Sequence, residues 1–249
     1  MGRARNLLGI YARIGRTYWA WSRSLLVLAV VVFVPLGLLD AFTAQVEVDS
    51  LNITNGLKLL ALAAAIGAVT TTSLLGEVFF SGAVAVSLTH PEHLNPPSLG
   101  TIARNLRYGR LIAVDLVYVV IVAVGLALFV IPGVLAFVLF GLSGPAVEIE
   151  ERTVRGALAR SWSLVRGSFW TVFFVLVPIE IVGDGVGGAI SAIVHGLLGH
   201  GIFASWLAES TSNIVFSPIF AVAAVLLTLE LIEAKEGAAP PLHSEPAPA

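Results

Sequence analysis

Acidic side chains inside apolar runs are the first residues of this sequence that could carry chemistry. Four of them stand in stretches that are otherwise almost free of charge: Glu77, Asp115, Glu180 and Asp184. A charge at the centre of a bilayer costs at least about 2.5–3.5 kcal/mol, so an acid kept there is a candidate for binding a cation or passing a proton. Glu180 and Asp184 are one helical turn apart and form the strongest candidate pair.

Each of these acids also has a purely structural interpretation. Asp115 stands near the start of its apolar run, so we expect it close to the membrane surface, where hydration is easy. Glu180 and Asp184 adjoin the glycine-rich segment 183–188, which predicts that the helix unravels there into a wet outer loop. For Glu77, a polar contact between helices is sufficient. The sequence alone favours these structural roles over transport.

The remaining polar motifs predict no catalytic or metal site. His90 and His93 flank Glu92 in a proline-rich loop, without the helical spacing or the third ligand that zinc requires. His195 and His200 border a glycine-rich stretch that predicts a solvated loop. The sequence has no cysteine, no Gly-x-Ser-x-Gly nucleophile motif and no phosphate-binding loop. We therefore predict a protein without enzymatic activity, cofactor or bound metal.

The composition places these residues in a membrane. Of the 249 residues, 57% are hydrophobic and 12% are charged, and the mean hydropathy is +0.93. A soluble domain carries about a quarter charged residues. The net charge of −2 lacks the basic excess that binding to nucleic acid requires. We expect an all-α, polytopic integral membrane protein.

Apolar runs of about 20 residues each predict the transmembrane segments. Six candidates lie near 24–39, 59–89, 111–131, 134–147, 169–182 and 213–231. The run 59–89 would be about 46 Å long as one helix, so it tilts, kinks near Ser81-Gly82 or extends beyond the bilayer. Pro132-Gly133 predicts a turn that joins two segments. The segment 134–147 then either crosses the membrane as a short span or forms a re-entrant arm.

The basic residues predict how these segments are oriented. With six crossings and a cytoplasmic N-terminus, thirteen of the fourteen Lys and Arg residues lie on the cytoplasmic side, and only Lys58 lies outside. Cytoplasmic loops carry such an excess. A cleavable signal peptide is the alternative interpretation of the first run. We interpret the run as a retained span, because cleavage after Ala44 would need a small residue two positions earlier, where Phe42 stands. We expect one membrane domain over 1–236 and a disordered cytoplasmic tail over 237–249.

An amphipathic segment, 153–166, lies between two of the predicted spans. On a helical projection, one arc contains Val154, Ala157, Leu158, Ser161, Trp162, Leu164 and Val165. The opposite arc contains Arg152, Arg155, Arg160 and Arg166. This division predicts an interfacial helix on the cytoplasmic side, with its apolar face sunk about 5–10 Å into the bilayer.

The arginines of this segment are expected to have two roles. The predicted contacts with anionic lipid headgroups are Arg152, Arg155 and Arg166. Arg160 lies at the edge of the polar arc, so we expect it to reach Glu148 or Glu150 and fix the helix to the preceding segment. Gly167 is expected to end the helix.

Two quoted stretches also carry a resemblance. "IPGV" (131–134) and "ALARSWSLVRGSFW" (157–170) resemble the membrane-domain family named for glycerophosphoryl diester phosphodiesterases, in which a proline-glycine turn precedes A-x-x-R-S-W-x-L-x-x-G-x-x-W. The matching residues are Pro132, Gly133, Ala157, Arg160, Ser161, Trp162, Leu164, Gly167 and Trp170. The family often has an arginine in the arm after the turn, whereas 134–142 is wholly apolar here. The core of the match covers about 40 residues.

The resemblance implies a six-helix membrane domain and no established chemistry. In the enzymes that name the family, catalysis belongs to a separate soluble barrel, and such a barrel takes about 250 residues by itself. We expect a non-catalytic membrane module of a bacterial inner membrane, which engages anionic lipid and a protein partner. The alternative is a small transporter or channel that uses Glu180 and Asp184. A membrane-embedded lipid enzyme ranks third, because the sequence offers no nucleophile–base pair.

Overall fold

The protein is built from α-helices. The structure, a computed structural model, describes residues 7–43, 76–89 and 99–237, and this part of the chain contains helices and no strand. The helices are α1 (Leu7–Thr43), α2 (Glu77–Thr89), α3 (Leu99–Asn105), α4 (Tyr108–Leu128), α5 (Val130–Phe140), α6 (Ser143–Ile149), α7 (Val154–Arg166), α8 (Phe169–Leu198) and α9 (Ile202–Glu236). The predicted all-α fold is confirmed. The tail expected to be disordered begins at the last described residue, and 238–249 lie outside the described residues.

Five stretches of the described chain are long and apolar enough to cross a membrane: Leu7–Leu38, Tyr108–Leu128, Val130–Ile149, Phe169–Leu198 and Ile202–Glu236. Three of the helices that contain them, α1, α8 and α9, extend well beyond the predicted runs. Hydropathy ends a run at the first polar residues, but some of those residues are paired between helices here. Arg13 of α1, for example, forms an ion pair with Glu230 of α9.

The prediction that the chain unravels at 183–188 is wrong, because α8 is helical from Phe169 to Leu198. Two of its glycines allow close packing against α9. A Cβ on Gly187 would overlap the hydroxyl of Ser212, and a Cβ on Gly183 would lie 3.6 Å from the ring of Phe216. Glycine weakens a helix in water, but close interhelical packing and the absence of competing water outweigh that cost in a membrane.

Helices α4 and α5 form a hairpin whose turn lies earlier than predicted. The break is at Phe129, which is extended (φ −164°, ψ 155°), and Pro132 lies in the first turn of α5, where its missing N–H is not needed. Gly125 and Gly133 lie where α4 and α5 approach closely, since a Cβ on Gly125 would be 2.8 Å from the Cα of Gly133. The return arm contains two helices, α5 and α6, which together form the apolar stretch Val130–Ile149.

The bundle has two chemically different ends. At one end, which we call the charged end, lie the ion pairs Arg13–Glu230, Arg107–Glu148, Arg160–Glu150 and Arg160–Glu236. At the opposite end, Trp206 of α9 donates its Nε1–H to the carbonyl of Val34 in α1, at 2.9 Å. The stretch of α1 from Arg13 to Val34 is about 32 Å long. This length matches the hydrocarbon thickness of a bilayer, about 30 Å.

Candidate functional site

The amphipathic helix forms where the sequence predicts it. Helix α7 spans Val154–Arg166, and the hydroxyl of Thr153 caps it by accepting a hydrogen bond from the backbone N–H of Gly156, at 3.3 Å. The helix ends at Gly167, as expected. The φ of Gly167 is −86°, an ordinary helical value, so this position does not require glycine for its backbone conformation.

The apolar face of α7 packs on the protein's own helices and is not sunk into lipid as predicted. Ala157, Leu164 and Val165 are fully buried. Ser161 is fully buried too, and its hydroxyl donates a hydrogen bond to the carbonyl of Leu139 in α5, at 2.7 Å. A helical projection shows that a face is apolar, but it cannot show whether lipid or protein covers it.

At the charged end, Arg160 of α7 links the residue that follows α6 to the end of α9. Its Nε lies 2.9 Å and 2.8 Å from the two carboxylate oxygens of Glu150, and its Nη2 lies 2.5 Å from the first of them. Nη2 also donates to Glu236 at the end of α9. The hydrogen bond to Glu150 raises the pKa of the guanidinium. The prediction that Arg160 reaches Glu150 is confirmed, whereas Glu148 pairs with Arg107 instead.

Two other arginines of α7 remain exposed. Arg152 bonds to Glu150 at 3.1 Å, but Arg155 and Arg166 make no ion pair with any residue that the structure describes. On a helix, Arg155, Ala159, Trp162 and Arg166 lie within about 60° of one another. We call this row the outer stripe. Trp162 is 45% exposed, and its ring packs 5.8 Å from that of Phe140.

Asp115 is a helix cap inside the bundle and not the hydrated surface residue that we expected. It is only 4% exposed. Its carboxylate accepts hydrogen bonds from the backbone N–H groups of Gly76, Val78 and Phe79, at 2.7, 3.1 and 3.4 Å. These groups are among the N–H groups at the start of α2 that have no partner within the helix. Asp115 is 36–39 residues away in sequence from the three groups that it caps, so no local pattern predicts the interaction.

Helix α2 therefore begins inside the bundle. Gly76 has a φ of +92°, which favours glycine, and the helix starts at the next residue, Glu77. Asp115 lies about 12 Å along α4 from Arg107 at the charged end. A kink near Ser81-Gly82 is one of three alternatives for the run 59–89, and α2 is helical without a break across these two residues. A Cβ on Gly82 would overlap the side chain of Leu111, so this glycine allows α2 to approach α4. The rest of the predicted run, 59–75, lies outside the described residues.

The four acids proposed from sequence meet in one region. Glu77 is 6% exposed and lies within electrostatic range of Glu180, Asp115 and Asp184. Glu180 is partly buried and Asp184 is exposed, and both stand on helix α8 rather than in a loop. Tyr118 of α4 is fully buried near the same acids, a neighbour that the sequence did not single out.

The histidines have structural partners. His195 lies in the last turn of α8 and not in a loop as expected, and its ring nitrogens are 3.2 Å from the hydroxyl of Ser191 and 3.3 Å from that of Ser205. His200 stacks on it, with ring centroids 4.9 Å apart. His90 and His93 lie outside the described residues. Across 7–43, 76–89 and 99–237, no group of three or more His, Asp or Glu side chains is arranged to hold a metal ion.

An apolar cavity of about 580 Å³ opens between α1, α2, α3 and α4. Leu28 and Val32 of α1 line it, with Ile102 of α3 and Tyr108 at the start of α4. Asp115 also lines the cavity and brings a carboxyl group to it. The sequence did not predict this cavity, because its walls come from four separate parts of the chain.

Comparisons with protein-family models, with curated proteins and with solved structures find no match for this chain. The fold and the site therefore define a class, an all-α protein with several helices of membrane-spanning length, and the family resemblance stays a prediction. The structure gives local roles to the residues that carry the resemblance. Gly133 permits the α4–α5 contact, Ser161 and Arg160 attach α7 to the bundle, and Trp162 and Trp170 are exposed.

Proposed function

We propose that this protein is a non-catalytic, multi-pass module of a bacterial inner membrane that engages anionic lipid through the outer stripe of α7. Both termini and the charged end face the cytoplasm in this proposal. The supporting observation is the stripe itself, in which Trp162 lies between two exposed arginines, Arg155 and Arg166. A protein partner is part of the proposal, as is membership of the membrane-domain family that the motif residues resemble.

The charges at this end support lipid contact by two particular residues. The guanidinium groups of Arg13, Arg107 and Arg160 already face carboxylates of the protein. Arg155 and Arg166 have no such partner within the described chain, so lipid phosphate is available to them. A basic residue near an anionic membrane surface gains about 1 kcal/mol. This gain corresponds to roughly a fivefold preference for anionic lipid per arginine.

The apolar cavity provides a second kind of lipid contact. Its lining is almost entirely hydrocarbon, and Tyr108, one of its lining residues, follows Arg107 of the charged end by one position. A lipid with its headgroup at this end could place an acyl chain along α1 and α4.

Brominated lipids, which quench nearby tryptophans, test the proposal in the full-length protein. The chain is reconstituted in nanodiscs that mix phosphatidylglycerol and phosphatidylcholine, with either lipid brominated, and the Trp162 contribution is obtained by difference from Trp162→Phe. We expect the anionic lipid to quench Trp162 preferentially. The double variant R155Q/R166Q should lose most of this preference, and R155K/R166K, which keeps both charges, should retain it. A preference that survives in R155Q/R166Q would contradict the proposal.

A small transporter or channel that uses Glu180 and Asp184 is the second candidate function. The observation that favours it is the position of both acids on a continuous helix, close to Glu77. Solute flux into proteoliposomes that is abolished by Glu180→Gln and Asp184→Asn would make transport the leading candidate.

A further inference from the structure

We propose that Glu77 and Glu180 form a proton-binding site inside the membrane-spanning part of the protein, and that Asp184 connects this site to the surface. The site requires neither lipid binding at α7 nor transport of a solute. It is inferred from the burial of Glu77 and the partial burial of Glu180, from the charges around them and from two unpaired polar atoms.

The unpaired atoms lie in the interior of the bundle. Oε2 of Glu77 and the hydroxyl of Tyr118 are both buried and have no hydrogen-bond partner in the described part of the chain. Both side chains lie within electrostatic range of Glu180. A buried polar atom without a partner costs about 1–3 kcal/mol, so an interior that holds two of them is suited to a small polar guest.

Among the described residues, the groups within electrostatic range of Glu77 include no cation. Helix α8 contributes Glu180 and Asp184, and helix α4 contributes Asp115 and Tyr118. Further towards the opposite end, Glu209 of α9 faces Asp184 and His195. The charged groups identified around Glu77 are therefore all acidic.

The N-terminus of α2 does not compensate the negative charge of Glu77 in place of a cation. A helix N-terminus stabilises a negative charge through its free N–H groups. Asp115 already accepts three hydrogen bonds there, including those from Gly76 and Val78. Asp115 therefore uses the free N–H groups of this terminus, whereas Glu77 and Glu180 lie within electrostatic range of each other and of no cation among the described residues. Two carboxylates that repel each other in apolar surroundings favour a state in which one of them is protonated.

The side chains of Glu77, Glu180 and Tyr118 are better suited to bind a proton than a metal ion. A metal needs several ligands at short distances, and in the described ranges no group of three acids or histidines is arranged in that way. A proton needs one carboxylate oxygen and one acceptor. The hydroxyl of Tyr118 is placed near both acids and can hydrogen-bond to either form of the pair.

Access to the site runs along α8. Asp184 is exposed and lies one turn from Glu180, which in turn lies near the buried Glu77. In each transfer, an O–H bond forms on the accepting carboxylate and one breaks on the donor. The proton comes from hydronium at the surface, and no electron moves.

Infrared spectroscopy of the full-length protein tests the site directly, because a protonated carboxylic acid has a C=O stretch that a carboxylate lacks. The protein is placed in nanodiscs of zwitterionic lipid, so the result does not depend on the lipid proposal. At neutral pH we expect a protonated carboxyl band in the wild type. Glu77→Gln and Glu180→Gln should each remove or shift this band. Glu233→Gln, a change of an exposed acid in the last turns of α9, should leave it unchanged.

Three further measurements keep the test decisive if a glutamine variant folds poorly. Glu180→Asp should shift the band without removing it, and Asp184→Asn should slow its exchange in deuterated buffer. A wild type without the band at neutral pH would overturn the proposal, as would a band that both glutamine variants retain unshifted. Loss of the wild-type band on addition of sodium would show a metal-cation site and would also overturn it.

Discussion

Replacing Arg160 by glutamine should destabilise the whole bundle, since this side chain links the chain before α7 to α7 itself and to the end of α9. In the wild type, the side chains of Arg160 and Glu150 are each only 13% exposed. Glutamine at 160 keeps one possible hydrogen bond and loses the positive charge. The ion pair that remains to Glu150 within the described chain is the one with the half-exposed Arg152.

The expected loss of unfolding free energy in Arg160→Gln lies between two known limits. An exposed ion pair contributes about 0–1 kcal/mol, and breaking a fully buried one costs about 3–5 kcal/mol. The burial of this pair and its fork of hydrogen bonds place the loss at about 2–3 kcal/mol. For a chain of this size, that loss corresponds to a fall of about 4–12 °C in the unfolding temperature. Arg160→Lys keeps the charge without the fork and should fall in between.

Thermal unfolding of the purified protein in one detergent measures the effect. Arg155→Gln is the matched control, because it removes the same charge from an exposed position of the same helix, where it makes no ion pair with a described residue. We expect it to change the unfolding temperature by less than about 2 °C. Equal unfolding temperatures for Arg160→Gln and Arg155→Gln would refute the role given to Arg160. A double-mutant cycle with Glu150→Gln should show a coupling energy of about 1–2 kcal/mol.

Three other substitutions test the interior. Asp115→Ala should lower the unfolding free energy by about 2–3 kcal/mol, because three N–H groups of α2 lose their acceptor, and an unchanged transition would reject the cap. Gly144→Ala should destabilise the protein because its Cβ would overlap the carbonyl oxygen of Val78. In the control Gly15→Ala, nothing lies within 4 Å of the new Cβ, so this variant should be neutral or stabilise by up to about 1 kcal/mol. The reverse order of the two unfolding temperatures in a thermal scan would contradict the packing. Ser161→Ala should cost about 1 kcal/mol through its lost bond to Leu139, as measured in the same scan, and a fully stable variant would argue against that bond.

Features that depend on neighbouring residues could be predicted from the sequence. A pattern within about 20 residues predicts the bounds of α7 to within one residue and the link from Arg160 to Glu150. The all-α class follows from composition and run length. For the same reason, Glu180 and Asp184 could be paired in advance, since they are separated by one helical turn.

Features that depend on distant partners could not be predicted. The glycines at 183–188 indicate a break only if water can satisfy the freed backbone, whereas packing against α9 keeps α8 helical. Asp115 looked like a surface residue because its partners belong to a different helix. The apolar face of α7 was assigned to lipid because a single helix does not reveal the helices that cover it. That Glu77 comes within electrostatic range of Glu180 likewise depends on how helices distant in sequence are arranged.

The most direct test of the central claim is the side of the membrane on which each end of the bundle lies. The chain has no cysteine, so single cysteines can be introduced without background: Arg155→Cys in the outer stripe and His200→Cys at the opposite end. A membrane-impermeant maleimide should label His200→Cys in intact cells and Arg155→Cys only in inverted vesicles. Labelling of both from the same side would contradict the membrane-spanning arrangement, and labelling of Arg155→Cys in intact cells would contradict the proposal that the outer stripe lies at the cytoplasmic leaflet.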